Sequence, residues 1–284
     1  MKAETITFTK MQSCGNDYIY INCFDFEVAA PEELSVRLSD RNYGIGGDGL
    51  VLIMRSDIAD AKMRMFNRDG SEGKMCGNAI RCIAKFLYDN HMVECSHMSI
   101  ETLSGVKQLH VIDENGRAVS VKADMGCAVL EPAKIPVALS GDSIVARSVT
   151  IGGITYSITC VSMGNPHAVV FCQDVDSLNL AQIGPLFEND AIFPDRVNTE
   201  FVEVMGKNYL KMRVWERGSG ETLACGTGAC ASAVAAVLNG YCDKGADIKI
   251  QLSGGELFIN YTDETVWLSG DCKTVFDGVV RIYS

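Results

Sequence analysis

The sequence predicts an α+β protein built from two pseudo-symmetric halves, each a set of strands around one central helix. Three observations carry that expectation. The first is a repeat: Cys76 and Cys225 each open a Cys-Gly-polar turn, 149 positions apart (225 − 76). Ser13-Cys14-Gly15-Asn16 maps onto Ser162-Met163-Gly164-Asn165 at that offset, and Met63-Arg64-Met65-Phe66 onto Met212-Arg213-Val214-Trp215. Leu103-Ser104-Gly105 maps onto Leu252-Ser253-Gly254, so one gapless offset serves four stretches, the mark of a duplicated domain. The second observation is that both halves show the same order of periodic segments. The third is that strands are not alternately spaced by helices, which argues against βαβ units of the Rossmann type.

Taken in order, an early strand is expected at Tyr18-Ile19-Tyr20-Ile21 and at Ala168-Val169-Val170-Phe171, both near-continuous apolar runs. A second strand precedes each cysteine turn, at Ala61 to Phe66 and Leu210 to Trp215. A helix follows each cysteine. From Ala79 to Tyr88 the apolar residues Ile80, Ile83, Ala84 and Leu87 fall at i, i+3, i+4, i+7, a helical stripe. Ala229 to Leu238 is an Ala- and Val-rich counterpart with little polar face, so burial on most sides is expected, with Asn239-Gly240 as its stop. Hairpins follow, turning at Asp113-Glu114-Asn115-Gly116 and at Thr262-Asp263-Glu264. The first domain is expected over residues 1–125 and the second over 126–272, with the last strand, about 273–284, pairing back onto the first. With no long linker between them, the halves are expected to pack closely across a cleft.

Composition narrows the function. At 284 residues the chain is long enough for two domains with their own cores. A net charge of −11 argues against nucleic acid or an anionic membrane as partner, so a small molecule is the expected ligand. Met1-Lys2-Ala3-Glu4-Thr5-Ile6-Thr7 lacks the apolar core of a secretory signal, and no apolar stretch approaches bilayer length. A cytoplasmic location follows as an expectation, with the 12 cysteines mostly reduced and buried. No C-x-x-C occurs, so neither a zinc nor a thioredoxin site is expected. Gly44-Ile45-Gly46-Gly47-Asp48-Gly49 matches a dinucleotide fingerprint only formally: a polar stretch precedes it and the strand-like Leu50-Val51-Leu52-Ile53 follows. These glycines are expected to shape a turn.

The cysteine turns carry the chemistry. Asn67 to Asn78 and Glu216 to Thr227 each deliver a thiol to a glycine-rich turn at a helix start. Free N–H groups there bind anions and are expected to lower a thiol's pKa, while glycine after the cysteine lets them approach a ligand. Two such termini could grip one carboxylate with a sulfur on each side. That arrangement suits inversion at the α-carbon of an amino acid, one thiolate removing the proton while a thiol returns one to the opposite face. The carbanion would be held by the helix N–H groups, with neither pyridoxal phosphate nor a metal required.

These residues also carry a family resemblance. Gly15-Asn16-Asp17, Met75-Cys76-Gly77-Asn78-Ala79-Ile80-Arg81-Cys82, Gly164-Asn165-Pro166-His167, Glu216-Arg217-Gly218 and Ala224-Cys225-Gly226-Thr227-Gly228-Ala229-Cys230 together resemble diaminopimelate epimerase, nearly end to end. The resemblance implies a strongly curved mixed β-sheet around the central helix of each domain. It implies interconversion of LL- and meso-2,6-diaminopimelate on the lysine and peptidoglycan route, without a cofactor, often by a homodimer. Carried over position by position, Cys76 and Cys225 resemble the acid/base thiols. Gly77, Asn78, Gly226 and Thr227 would hold the reacting carboxylate by their backbone. Asn16, Asn67, Asn165, Asn198, Glu216 and Arg217 match substrate-binding side chains, with His167 in support. The distal amino-acid head would need an Arg fork for its carboxylate and a Glu or amide oxygens for its ammonium.

The sequence departs from that pattern at Gln12-Ser13-Cys14, where relatives usually show His-Gly-Leu, and at Gly49, where some carry Gln. Both changes lie near Asn16. The rival within enzymes is a racemase of proline, hydroxyproline or histidine on the same fold, which would have no use for the Glu216–Arg217 set. The rival outside enzymes is a thiol redox switch or metal-binding module, against which the absence of C-x-x-C weighs.

Overall fold

The computed structural model describes residues 3–283. Met1 and Lys2, part of the N-terminal stretch discussed above, and Ser284 lie outside the described residues. The chain divides into two compact units, one ending at Ala123 and resuming at Gly270, the other Asp124–Ser269.

In the first unit β1 (Ala3–Ser13) pairs antiparallel with β2 (Asn16–Cys23), and β2 runs parallel to β3 (Gly49–Met54). The crossover contains helix α1 (Pro31–Ser39). β4 (Ala61–Asn67) returns antiparallel to β3 and carries the short β5 (Glu72–Gly73). Helix α2 (Gly77–Asp89) leads to β6 (His97–Thr102), parallel to β4, and β7 (Gly105–Glu114) and β8 (Arg117–Asp124) complete the meander. The C-terminal strand, Lys273–Tyr283, lies antiparallel on the outer side of β1.

The mixed sheet explains why its inner strands read as unbroken apolar runs: both faces are covered. On one face Leu34 and Leu38 of α1 pack with Phe8, Ile19, Ile21, Leu50, Leu52 and Phe66. On the other, Tyr20, Val51, Ile53, Met63 and Met65 are buried, as are Ile80, Ile83 and Leu87 along the apolar stripe of α2. The β7–β8 turn has Asn115 at φ 55 and Gly116 at φ 76, two left-handed residues in succession, as a tight hairpin requires.

The second unit repeats the plan. β9 (Arg147–Ile151), β10 (Ile154–Ser162) and β11 (Pro166–Cys172) are antiparallel neighbours, and β12 (Asn198–Gly206) runs parallel to β11 after helix α3 (Leu180–Glu188). β13 (Tyr209–Glu216) carries β14 (Gly220–Thr222); helix α4 (Gly226–Leu238) leads to β15 (Asp247–Leu252), parallel to β13. β16 (Gly255–Tyr261) and β17 (Val266–Gly270) close the meander. Every residue of α4 from Gly228 to Ala236 is buried, in keeping with its lack of a polar face.

The sheet-dominated α+β class is as expected, but two details of the sequence reading are corrected. Among the described residues each unit holds a second helix besides the expected central one, α2 or α4. The additional pair, α1 and α3, are nine residues each; α1 is short, with Pro31 in its first turn, and α3 carries Gly184 and Pro185, which mask a helical pattern. The gapless offset also fails at its last member. The two-residue turns place Thr102 opposite Gly105 and Leu252 opposite Gly255, so the equivalent of Leu252 is Thr102, at an offset of 150. One extra residue enters the second unit between α4 and β15, where a loop absorbs it without disturbing strand register.

Candidate active site

In the first unit Cys76 is the N-cap of α2, with extended backbone (φ −134, ψ 122) leading into helical Gly77. Its sulfur lies 3.6 Å from Asn16 Oδ1, and the Asn78 amide donates to the same oxygen at 3.3 Å. Asn16 is oriented from its other end, its Nδ2 donating to Asp48 at 2.8 Å. Asn78 is oriented by Arg81, whose guanidinium donates to Asn78 Oδ1 (3.0 Å), Gly77 O (2.8 Å) and Ser13 Oγ (2.6 Å). A chain of donations therefore runs from the buried Arg81 through Asn78 to Asn16 Oδ1, the oxygen that also accepts from the Cys76 thiol. Asn67, at the end of β4, pairs in register with Gly49 and donates to Ser71 Oγ at 3.0 Å.

The second unit repeats this with different side chains. Cys225 is the N-cap of α4, and its sulfur accepts the Gly228 N–H at 3.4 Å. Thr227 Oγ1 lies 3.5 Å from the sulfur and accepts from Asn165 Nδ2 at 3.3 Å. Asn165 Oδ1 stands 2.9 Å from His167 Nε2, and His167 Nδ1 2.7 Å from Glu200. Glu216 accepts from the Thr222 hydroxyl and contacts Cys225. Asn198 donates to Pro166 O at 2.9 Å and accepts the Arg217 main-chain N–H at 3.0 Å. The Arg217 guanidinium is exposed, with one nitrogen donating to Asp195 O at 2.8 Å.

Electrostatics correct one expectation. A helix N-terminus alone would lower a thiol's pKa, yet Cys225 is held well above the ordinary thiol value. Burial is the main cause, followed by the negative charges of Glu216 and Glu200; the Thr227 and Gly228 hydrogen bonds only partly oppose them. Glu216 is itself raised, first by burial. Burial and the two carboxylates thus favour the neutral thiol of Cys225. Glu200, Asp48 and Arg81 were not singled out in the sequence. Asp48 sits within the glycine turn that hides it, and Glu200 lies in the strand β12, where a buried carboxylate has no local signal.

Among the described residues no group of three or more His, Cys, Asp or Glu is placed to hold a metal ion, and no helix is long and apolar enough to cross a membrane.

The fold is shared by proteins of remote sequence. A phenazine biosynthesis protein of the PhzF family from Bacillus anthracis superposes with a TM-score of 0.70 at 14% identity, over 98% of this chain and all of that one. A hydroxyproline epimerase from Agrobacterium vitis does so at 0.68 and 13%, over 99% of this chain and 92% of that one. Fold and cysteine-headed helices thus define the class: a sheet-dominated α+β protein of two repeated units, each with a cysteine at the start of a central helix. The model of the diaminopimelate epimerase family matches residues 8–131 and 159–275. Over 277 residues the sequence is 51% identical to the diaminopimelate epimerase of Methanococcus maripaludis, covering 97% of this chain and 99% of that protein. It is equally identical to that of Acetivibrio thermocellus over 277 residues, 97% of this chain and 98% of that protein. The chain belongs to the diaminopimelate epimerase family and is an enzyme of the epimerase class.

Proposed function

We propose that this protein interconverts LL- and meso-2,6-diaminopimelate for lysine and peptidoglycan synthesis, with Cys76 and Cys225 as a two-base pair acting on opposite faces of one α-carbon. The observation that supports it most directly is the repeated construction: in each unit of a diaminopimelate epimerase family member, a cysteine is the N-cap residue of a thirteen-residue helix beside oriented amide groups. One cysteine, as thiolate, takes the α-proton and becomes a thiol. The other gives its proton to the opposite face and becomes the thiolate, so configuration inverts and no proton is lost. The intervening charge, spread into the α-carboxylate, would be met by the N–H groups at Gly77, Asn78, Gly226 and Thr227. These donors take the part of an electron sink, and the mechanism calls for no cofactor.

The raised Cys225 fits the thiol partner of this pair in the resting enzyme. Asn16, Asn67, Asn165, Asn198, Glu216 and Arg217 bind the two amino-acid heads, and His167 supports the Cys225 side. Glu216, in contact with Cys225, bears on that thiol as well as on a substrate ammonium. We place the enzyme in the cytoplasm as a homodimer. Val275, Phe276 and Val279, 55%, 46% and 64% exposed on the C-terminal strand, support a partner surface, and light scattering of Phe276→Glu against wild type tests it.

The decisive experiment is inversion of LL-diaminopimelate by purified protein after chelation and without pyridoxal phosphate. Cys76→Ala and Cys225→Ala should each abolish it, whereas Cys82→Ala and Cys230→Ala retain most of it. Full inversion by either of the first two variants would remove the two-base reading. Turnover of proline, hydroxyproline or histidine as fast as diaminopimelate would favour the racemase instead.

A further inference from the structure

We propose that Tyr18 is a positioning residue for the Cys76 thiol, its hydroxyl holding the sulfur by a hydrogen bond in a space left open by the missing side chain of Gly49. The inference deepens the two-base reading and rests on it. Tyr18 on β2 stands directly opposite Gly49 on β3 in parallel register. A Cβ on Gly49 would lie 2.9 Å from the Tyr18 ring and 2.1 Å from Phe66 O, so the ring cannot keep its place beside any other residue at 49. Gly49 is one of the two places where the sequence departs from its resemblance, and Tyr18 fills the room next to it.

The phenol is 5% exposed, and Asn16 and Cys76 are the neighbours that act on its hydroxyl. Directions follow from the partners. Asn16 Nδ2 already donates one hydrogen to Asp48, which leaves its second for the phenol oxygen. The phenol hydrogen is then free for the sulfur. A protonated Cys76 donates to Asn16 Oδ1; a Cys76 thiolate loses that bond and faces a carbonyl oxygen instead. The Tyr18 O–H offsets this by donating to the thiolate, a charge-assisted bond. Burial above all, and the Cys76 charge next, hold the phenol well above its ordinary pKa, so it stays a neutral donor. The other ionisable groups acting here are Asp48, paired with Arg41 at 3.0 Å; Tyr20, whose phenol senses Cys76; and Arg81, which acts through Asn78.

The test is Tyr18→Phe, which keeps the ring and removes the hydroxyl. Peptide-resolved alkylation by iodoacetamide, which reads thiolate, is followed against pH for each cysteine. The Cys76 profile should move to higher pH, with its alkylation slowed about three- to tenfold at a fixed pH below the midpoint, while the Cys225 profile stays in place. A Cys76 profile superposable on wild type, or an equal movement of both cysteines, would overturn the inference. Cys76→Ala separates the two readings. Normal turnover by that variant would bring down the two-base reading and this one with it. An inactive Cys76→Ala beside a silent Tyr18→Phe would bring down the role of Tyr18 alone.

Discussion

His167 Nδ1 and a Glu200 carboxylate oxygen stand 2.7 Å apart with both side chains fully buried. The same oxygen would lie 2.6 Å from a Cβ on Gly228, so the first turn of α4 needs glycine for the carboxylate to approach. Gly228 in turn donates its N–H to the Cys225 sulfur. A buried negative charge is thereby set against the thiol that caps the helix, and it opposes the helix dipole.

Glu200→Gln removes that charge while keeping an oxygen for His167. Because Glu200 raises the Cys225 pKa, the variant should bring it down, and Cys225 would ionise at lower pH. The limb of the kcat/KM profile that needs Cys225 protonated should then fall at lower pH, by up to about one unit. A limb left in place would assign Glu200 to packing.

Two bases leave an isotopic trace. In D₂O, meso product formed from LL-substrate should carry deuterium at the inverted carbon, because the donating thiol has exchanged with solvent. Recovered LL-substrate at low conversion should keep its protium. NMR of both pools checks this, and product that retains the original hydrogen would point to a single base returning it.

Arg217 donates from one guanidinium nitrogen to Asp195 O, and in the proposed function the rest of its fork holds a substrate carboxylate. Arg217→Lys keeps the charge and loses the fork. Removing a charge-assisted contact of about 1.5–3 kcal/mol should lower kcat/KM for diaminopimelate more than tenfold. An unchanged kcat/KM would mean that Arg217 does not meet the substrate.

Gly49→Ala tests packing rather than chemistry. Its Cβ would press on Phe66 O across the β3–β4 pairing and on the Tyr18 ring. Overpacking of this kind costs about 1–3 kcal/mol or more, read as a lower urea midpoint with an unchanged slope. A midpoint equal to wild type would mean that β3 and β4 part easily there.

Some of this was legible in sequence because it is written in neighbouring residues. The spacing of Ile80, Ile83, Ala84 and Leu87 gave a helix after Cys76, and the Ala-Val run after Cys225 gave a buried one; both helices start at the glycine following their cysteine. Asn115-Gly116 marked a tight turn, since only residues tolerant of positive φ serve there. Helices α1 and α3 escaped because nine residues with proline or glycine in them show little periodicity.

By itself the sequence determined the duplication, the sheet-dominated class and the placing of each cysteine at a helix start. These depend on local periodicity and on residue types that the backbone demands. Only the tertiary structure decided how each thiol is set electrically. Cys225 owes its high pKa to burial and to carboxylates at positions 200 and 216, which strand pairing brings to it. Cys76 meets Asn16 and Tyr18 from a strand some sixty residues earlier. Desolvation and charge act through space, and the distances that set them exist only once the strands have found their register.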